Sequence, residues 1–197
     1  MKKHGFDTQK LVLLALLTAI VIVLQLLASF LPVYPFKLNL VLIPTVVGAA
    51  LISPLAGAWL GFVFGVTVLS ADRMLLTLFG LTPVTIIVVL ARGILFGAAA
   101  GYVYKLLSKK GETIAVISAA VVAPIVNTGI FVLGLYMFFI PVIMAQFQVD
   151  RADIASFIFL GMIGINFPLE FGINLVLSPT IIRLVQYGQS KLKSGKE

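Results

Sequence analysis

Long apolar runs, punctuated by short clusters of proline, glycine and charge, set the pattern of this chain. A membrane-crossing helix needs about 20 largely apolar residues, and the runs predict six such helices. The first extends from Lys10 to Phe30, too long and too weakly punctuated near Ala28-Ser29 for a cleaved signal peptide. A proline-rich loop from Leu31 to Lys37 precedes a second helix over Leu38–Ile52. Ser53-Pro54 makes a tight turn into the third, Leu55–Ser70. Asp72-Arg73 mark a loop with a short interfacial helix running up to Leu81. Pro83 suits a first helical turn and opens the fourth helix, which ends at Leu107. Ser108–Glu112 is a polar turn, and the fifth helix covers Thr113–Ile140, with Pro124 inside it as a kink. Pro141–Asp153 reads as a loop and Ala155–Gln186 as the sixth helix. The fold class expected is therefore an all-α integral membrane protein: a compact six-helix bundle forming one domain over residues 1–197.

Composition sharpens this picture. Only 11% of the 197 residues are charged and 61% are hydrophobic, whereas a soluble domain carries about 25% charged residues. Most of the surface must face lipid. The formal charge of +7 does not point to nucleic acid, because of where the cations fall. Ten of the fourteen lie in three places: Lys2, Lys3 and Lys10; Lys105, Lys109 and Lys110; and Arg183, Lys191, Lys193 and Lys196. Those are the cytoplasmic ends of a bundle with both termini inside, as the positive-inside rule requires. The chain has no cysteine, and its one histidine, His4, sits in the charged N-terminal tail. Disulfides, thiolate metal sites and His-based catalysis within the membrane are excluded, and no Ser/His/Asp, HExxH or phosphate-loop pattern is present.

Two sets of residues stand out within the apolar runs. Gly57, Gly61 and Gly65 lie four apart, as do Gly93, Gly97 and Gly101, and Ala15 and Ala19 make a shorter version on the first helix. Small residues at this spacing let helices approach closely in lipid, either inside the bundle or against another membrane protein. Trp59 suits an interface anchor. The second set is polar. Asn166, Glu170 and Asn174 form a stripe on the sixth helix, with Arg92 in the fourth and Asn127 in the fifth. At about 1.5 Å per residue, Arg92 and Asn166 lie roughly 13 Å below the outer ends of their helices. Asn127 and Glu170 lie near roughly 20 Å.

Intramembrane ionisable groups are costly and face a partner or a cavity. Two readings follow. Arg92 and Glu170 neutralise each other as a buried packing pair, or they belong to an outward-facing ligand site with walls from Phe131, Tyr136 and Phe167. The planar guanidinium favours a carboxylate or phosphate on the ligand. The loop carrying Tyr34, Lys37 and Asn39 is then either the site's lid or an ordinary connection.

Several of these stretches together resemble the substrate-binding S component of an energy-coupling factor (ECF) vitamin transporter. They are Ala15-Leu-Leu-Thr-Ala19, Leu40-Val-Leu-Ile-Pro44, Gly57-Ala-Trp-Leu-Gly61-Phe-Val-Phe-Gly65, Ala91-Arg92-Gly93 and Pro124-Ile-Val-Asn127-Thr-Gly129. The resemblance covers essentially the whole chain and is closest in feel to the pantothenate-type members. It implies a high-affinity vitamin-capturing subunit of the bacterial cell membrane that carries no cofactor. ATP and Mg would belong to two cytoplasmic ATPase subunits, which work with a transmembrane T component. It also implies that Ala15 and Ala19 contact the T component and that Arg92 holds the pantothenate carboxylate. Riboflavin, cobalamin and other vitamin-specific relatives share the scaffold. The competing classes are weaker: an autonomous channel or secondary transporter lacks paired interrupted helices, and an intramembrane enzyme lacks a nucleophile–base set.

Overall fold

A computed structural model describes residues 8–30, 40–164 and 166–194; of Phe30, Asn166 and residues 192–194 it describes the backbone alone. The described residues are helical almost throughout, in the order α1 (Thr8–Phe30), α2 (Leu42–Leu51), α3 (Pro54–Ala71), α4 (Arg73–Phe79), α5 (Pro83–Leu107) and α6 (Glu112–Gly134). A wider π-helical turn, Leu135–Phe139, carries α6 directly into α7 (Ile140–Phe147). The short α8 (Ile154–Ser156) passes into a second π-helical stretch, Phe157–Ile163, and α9 (Asn166–Ser194) ends the described chain. Five helices are long and apolar enough to cross a membrane, and Leu42–Leu51 and Ile154–Ile163 are shorter apolar helices. The protein is a multi-pass, all-helical membrane protein.

Local chemistry explains the sharpest boundaries. Ser53 Oγ accepts from Ala56 N at 3.1 Å, with Pro54 in the first turn of α3. Thr82 Oγ1 accepts from Thr85 N at 3.2 Å, again ahead of a first-turn proline, Pro83. Each pair satisfies one orphan donor and wastes none, since proline has no N–H to leave unpaired. Asp72 caps α4 through Leu75 N at 3.0 Å, and Gly80 ends it at φ 66°.

The bundle is assembled around α2. Eight of its ten residues are buried, and it packs against α1, α3, α5, α6 and α9. At about 1.5 Å per residue it is half the length needed to span the roughly 30 Å hydrocarbon core. It is possible only because its neighbours cover it. The two glycine ladders face each other across the most extensive helix pair, α3 with α5. A Cβ on Gly61 would run into the Gly93 carbonyl, one on Gly97 into the Gly57 carbonyl, and one on Gly101 would lie 2.5 Å from Pro54 Cα. The ladders thus serve packing within this bundle. Beside them Phe64 and Phe96 meet edge-on at 5.8 Å, both fully buried.

The expected six spans are not matched one for one. The fifth does not stop at Ile140 but continues to Phe147; Pro141 sits in the first turn of α7, where its missing N–H costs nothing. The region expected to be a loop from Pro141 is therefore helical for its first half, and the turn proper starts at Gln148, which adopts φ 53°. The sixth span is broken. Gly164 takes φ 35°, which separates the apolar stretch Ile154–Ile163 from α9. That stretch folds back on the Leu135–Phe139 π-helical turn and α7, with Phe157 against Phe147 at 4.9 Å and Phe159 against Tyr136 at 6.4 Å.

Candidate functional site

Arg92 lies on the face of α5 turned toward α3 and α6. Its guanidinium carbon is 4.9 Å from the centre of the Phe131 ring and 5.5 Å from that of Phe64. Two aromatic faces on a guanidinium provide cation–π attraction, yet they consume none of its five N–H donors. Among the described residues those donors have no hydrogen-bond partner, and Nε is fully buried. Glu170 and Asp72 supply the negative field acting on the guanidinium, but no nitrogen of Arg92 comes within 4.0 Å of the Glu170 carboxylate.

Helix register explains why that direct pair does not form. Gln189 Nε2 donates to Tyr104 Oη at 2.8 Å, which puts those two residues of α9 and α5 at one level. Counting from there at about 1.5 Å per residue, Arg92 stands about 18 Å up its helix, Asn174 about 22 Å and Glu170 about 28 Å. Of the stripe residues Asn166, Glu170 and Asn174, the closest in height to Arg92 is therefore Asn174. From the α5–α6 turn, Arg92 and Asn127 are each fifteen residues away along their helices, which is about 22 Å for both. Arg92 and Asn127 therefore share a height when counted from this end of the bundle, whereas counting from the expected outer helix ends puts them roughly 7 Å apart. From the other end, α6 runs on to Phe147.

Two asparagines complete the cluster. Asn127 is 4% exposed and its Oδ1 has no partner among the described residues; Phe131 lies one turn further along the same face. Asn174 is 2% exposed. Its Nδ2 donates to the Glu170 carbonyl at 2.8 Å, and Ser178 Oγ donates to the Asn174 carbonyl at 2.8 Å. The Asn174 Oδ1 is buried and, among the described residues, unpaired. An unpaired buried amide oxygen costs about 1–3 kcal/mol. Arg92, Asn127 and Asn174 thus bring one buried guanidinium donor and two buried carbonyl acceptors to neighbouring heights on three helices, of which α6 packs against both α5 and α9.

Of the other expected site residues, Glu170 lies further up the polar stripe, half-buried. Tyr136 lies in the π-helical turn and contacts Phe159, while Phe167 packs on Phe171 at 6.0 Å. Asn166 opens α9, and its side chain lies outside the described residues, as do Tyr34, Lys37 and Asn39 entirely. Asn174 is the residue that sequence reasoning placed on the stripe without assigning it to the site. Its signal was the four-residue spacing with Glu170 and Ser178, which puts all three on one helix face.

Ala15 and Ala19 lie exposed on α1, the least embedded of the five long helices. Leu17, Val21 and Gln25 form the face that α1 turns inward. Trp59 is half exposed and donates its indole N–H to Thr18 Oγ1 at 3.2 Å, which ties α3 to α1.

The fold is that of a multi-pass helical membrane protein with a buried polar cluster on α5, α6 and α9. The family described as ECF transporter, substrate-specific component, matches residues 9–182. The chain belongs to that family. It is a substrate-specific subunit of an ECF transporter. Comparisons with curated proteins and with solved structures find no match.

Proposed function

We propose that this chain captures a vitamin for an ATP-driven ECF importer, and that the vitamin is pantothenate. One observation carries the choice of an anionic ligand: Arg92 is held between Phe64 and Phe131 with its donors uncommitted. A planar fork of donors matches a carboxylate, and the buried oxygens of Asn127 and Asn174 match hydroxyl or amide donors elsewhere on the ligand. Pantothenate carries all three groups. In this reading Arg92 holds the carboxylate and Asn127, Asn166 and Asn174 the polar remainder. Glu170 tunes the field around Arg92, and Tyr136 forms an upper wall. Tyr34, Lys37 and Asn39 close over the site. The chain acts as one domain without a cofactor; ATP and Mg belong to a pair of ATPase subunits that work with a T component.

The deciding experiment is mass spectrometry of ligand released from protein purified in mild detergent, with a pull-down for ATPase subunits. Pantothenate together with co-purifying ATPases is the expected result. A cationic or neutral vitamin in its place would overturn the ligand assignment.

The same reading places both termini in the cytoplasm of a bacterial cell, because the lysines cluster near the two termini and at the Lys109-Lys110 turn, as the positive-inside rule requires of cytoplasmic ends. A cysteine introduced at 110 should react with an impermeant maleimide only after the membrane is opened. Labelling of intact cells would reverse the topology.

Ala15 and Ala19 are assigned to T-component docking, since small side chains on an outer helix permit close backbone approach. Ala15→Trp and Ala19→Trp should impair assembly and uptake while the isolated subunit binds ligand as before. Normal uptake by both variants would remove the assignment.

A further inference from the structure

Arg92 is confined on two sides by contacts that begin at glycines. On the α3 side the Gly61 and Gly93 backbones meet with no side chain between them, and a Cβ on Gly93 would stand 3.5 Å from the Phe64 ring. Phe64 therefore reaches α5 directly beside Arg92. It is 2% exposed, and Phe96, one turn beyond Arg92 on α5, meets it edge-on at 76°. That ring has no room to swing away. On the α6 side a Cβ on Gly134 would lie 2.5 Å from Val88 Cγ1, so α6 also approaches α5 closely. Val88 stands one turn before Arg92, and Phe131 about one turn before Gly134. The approach lays the Phe131 ring against the guanidinium, at 4.9 Å. Unlike Phe64, Phe131 is only half-buried.

We propose that Phe131 is a positioning residue, which acts on the ligand through Arg92 by holding its guanidinium beside Phe64 in one orientation. The proposal rests on the reading that Arg92 meets the ligand carboxylate. The N–H donors of a guanidinium lie in its own plane, so a ring against a face takes no donor and hinders turning. An arginine side chain is rich in rotamers, and one left free must be ordered when an anion arrives. Among the described residues no hydrogen bond or ion pair orders Arg92. The two rings order it in advance. Asn127 stands one turn before Phe131 on the same face of α6. One helix thus carries both the ring that orients the donor and an acceptor for the same ligand.

The test is titration of the full chain, purified in mild detergent, with pantothenate and with its carboxamide. Phe131→Leu should weaken binding of the acid about fivefold, the effect of ordering one long side chain, and leave the carboxamide unchanged. Phe131→Met fills the space without a ring and should repeat that contrast, so the result does not hang on one variant folding. Phe131→Tyr keeps the ring and should bind both ligands as wild type does. In an Arg92→Ala background Phe131→Leu should cost nothing further, because the group it positions is gone. A residue that is only a wall would lower the affinity of both ligands by the same factor, with or without Arg92. That result overturns the proposal. Unchanged acid binding in Phe131→Leu and Phe131→Met, beside a loss in Arg92→Ala, overturns it as well and leaves the carboxylate reading standing. Wild-type affinity in Arg92→Ala overturns that reading and the positioning role together.

Discussion

Arg92→Ala is expected to weaken pantothenate binding more than a hundredfold while leaving the unliganded protein folded. Removing the charged partner of a buried anion costs about 3–5 kcal/mol, and each decade of affinity is about 1.4 kcal/mol. The unliganded protein should tolerate the change because Arg92 has no ion pair or hydrogen bond to lose among the described residues. Its two aromatic contacts contribute about 0.5–2 kcal/mol each, and they are offset by relief of a desolvated charge. Arg92→Lys should recover part of the affinity, since an ammonium cannot make the two-pronged contact. Asn127→Ala and Asn174→Ala should each cost about 1–3 kcal/mol of binding through a ligand donor left unsatisfied. Titration calorimetry with pantothenate and its carboxamide on these variants reads all of this. The carboxamide should bind wild type poorly and lose little more on Arg92→Ala. Wild-type affinity in Arg92→Ala would make the residue structural, as would a loss of fold in the unliganded variant.

The second large effect concerns the α3–α5 contact. Gly61→Ala should lower the unfolding temperature in a detergent thermal-shift assay, by about 1–3 kcal/mol of stability. The added methyl meets the Gly93 carbonyl, and backbone cannot step aside as a side chain can. Gly129→Ala is the matching control. Nothing among the described residues lies within 4 Å of a Cβ there, so the substitution should be neutral or stabilising, because glycine in a helix interior costs about 1 kcal/mol relative to alanine. Equal shifts in the two variants would mean that the ladder is not the seam of the bundle.

These contrasts show how far the sequence is legible. Pro83 and the Lys105 end bound α5 correctly because proline geometry and charge act locally. The same holds for Ser53-Pro54 at α3. The break before α9 was not legible. Gly161 and Gly164 interrupt the apolar run without changing its hydrophobicity, and only the positive φ of Gly164 turns the chain. Pro141 misled for a related reason: it ends a helix when it sits inside one, yet here it starts a new turn behind a π-helical stretch. In the site, the residue types were visible and their relative heights were not. The offset between Arg92 and Glu170 follows from Tyr104 meeting Gln189, a long-range register that no local pattern encodes.

The glycine seam also has a mechanical consequence. Where carbonyl faces carbonyl across bare Cα atoms, two helices have no side-chain layer between them to act as a lubricant. Sliding α3 along α5 by one turn, about 5.4 Å, would in one direction bring Val89 and Leu90 against Gly61, and any smaller slide in either direction takes glycine off glycine, so this pair resists shear. Phe64 is fixed to one of these helices and Arg92 to the other. The wall and the floor of the polar cluster therefore travel together, and whatever motion carries a ligand inward must take place at seams other than this one.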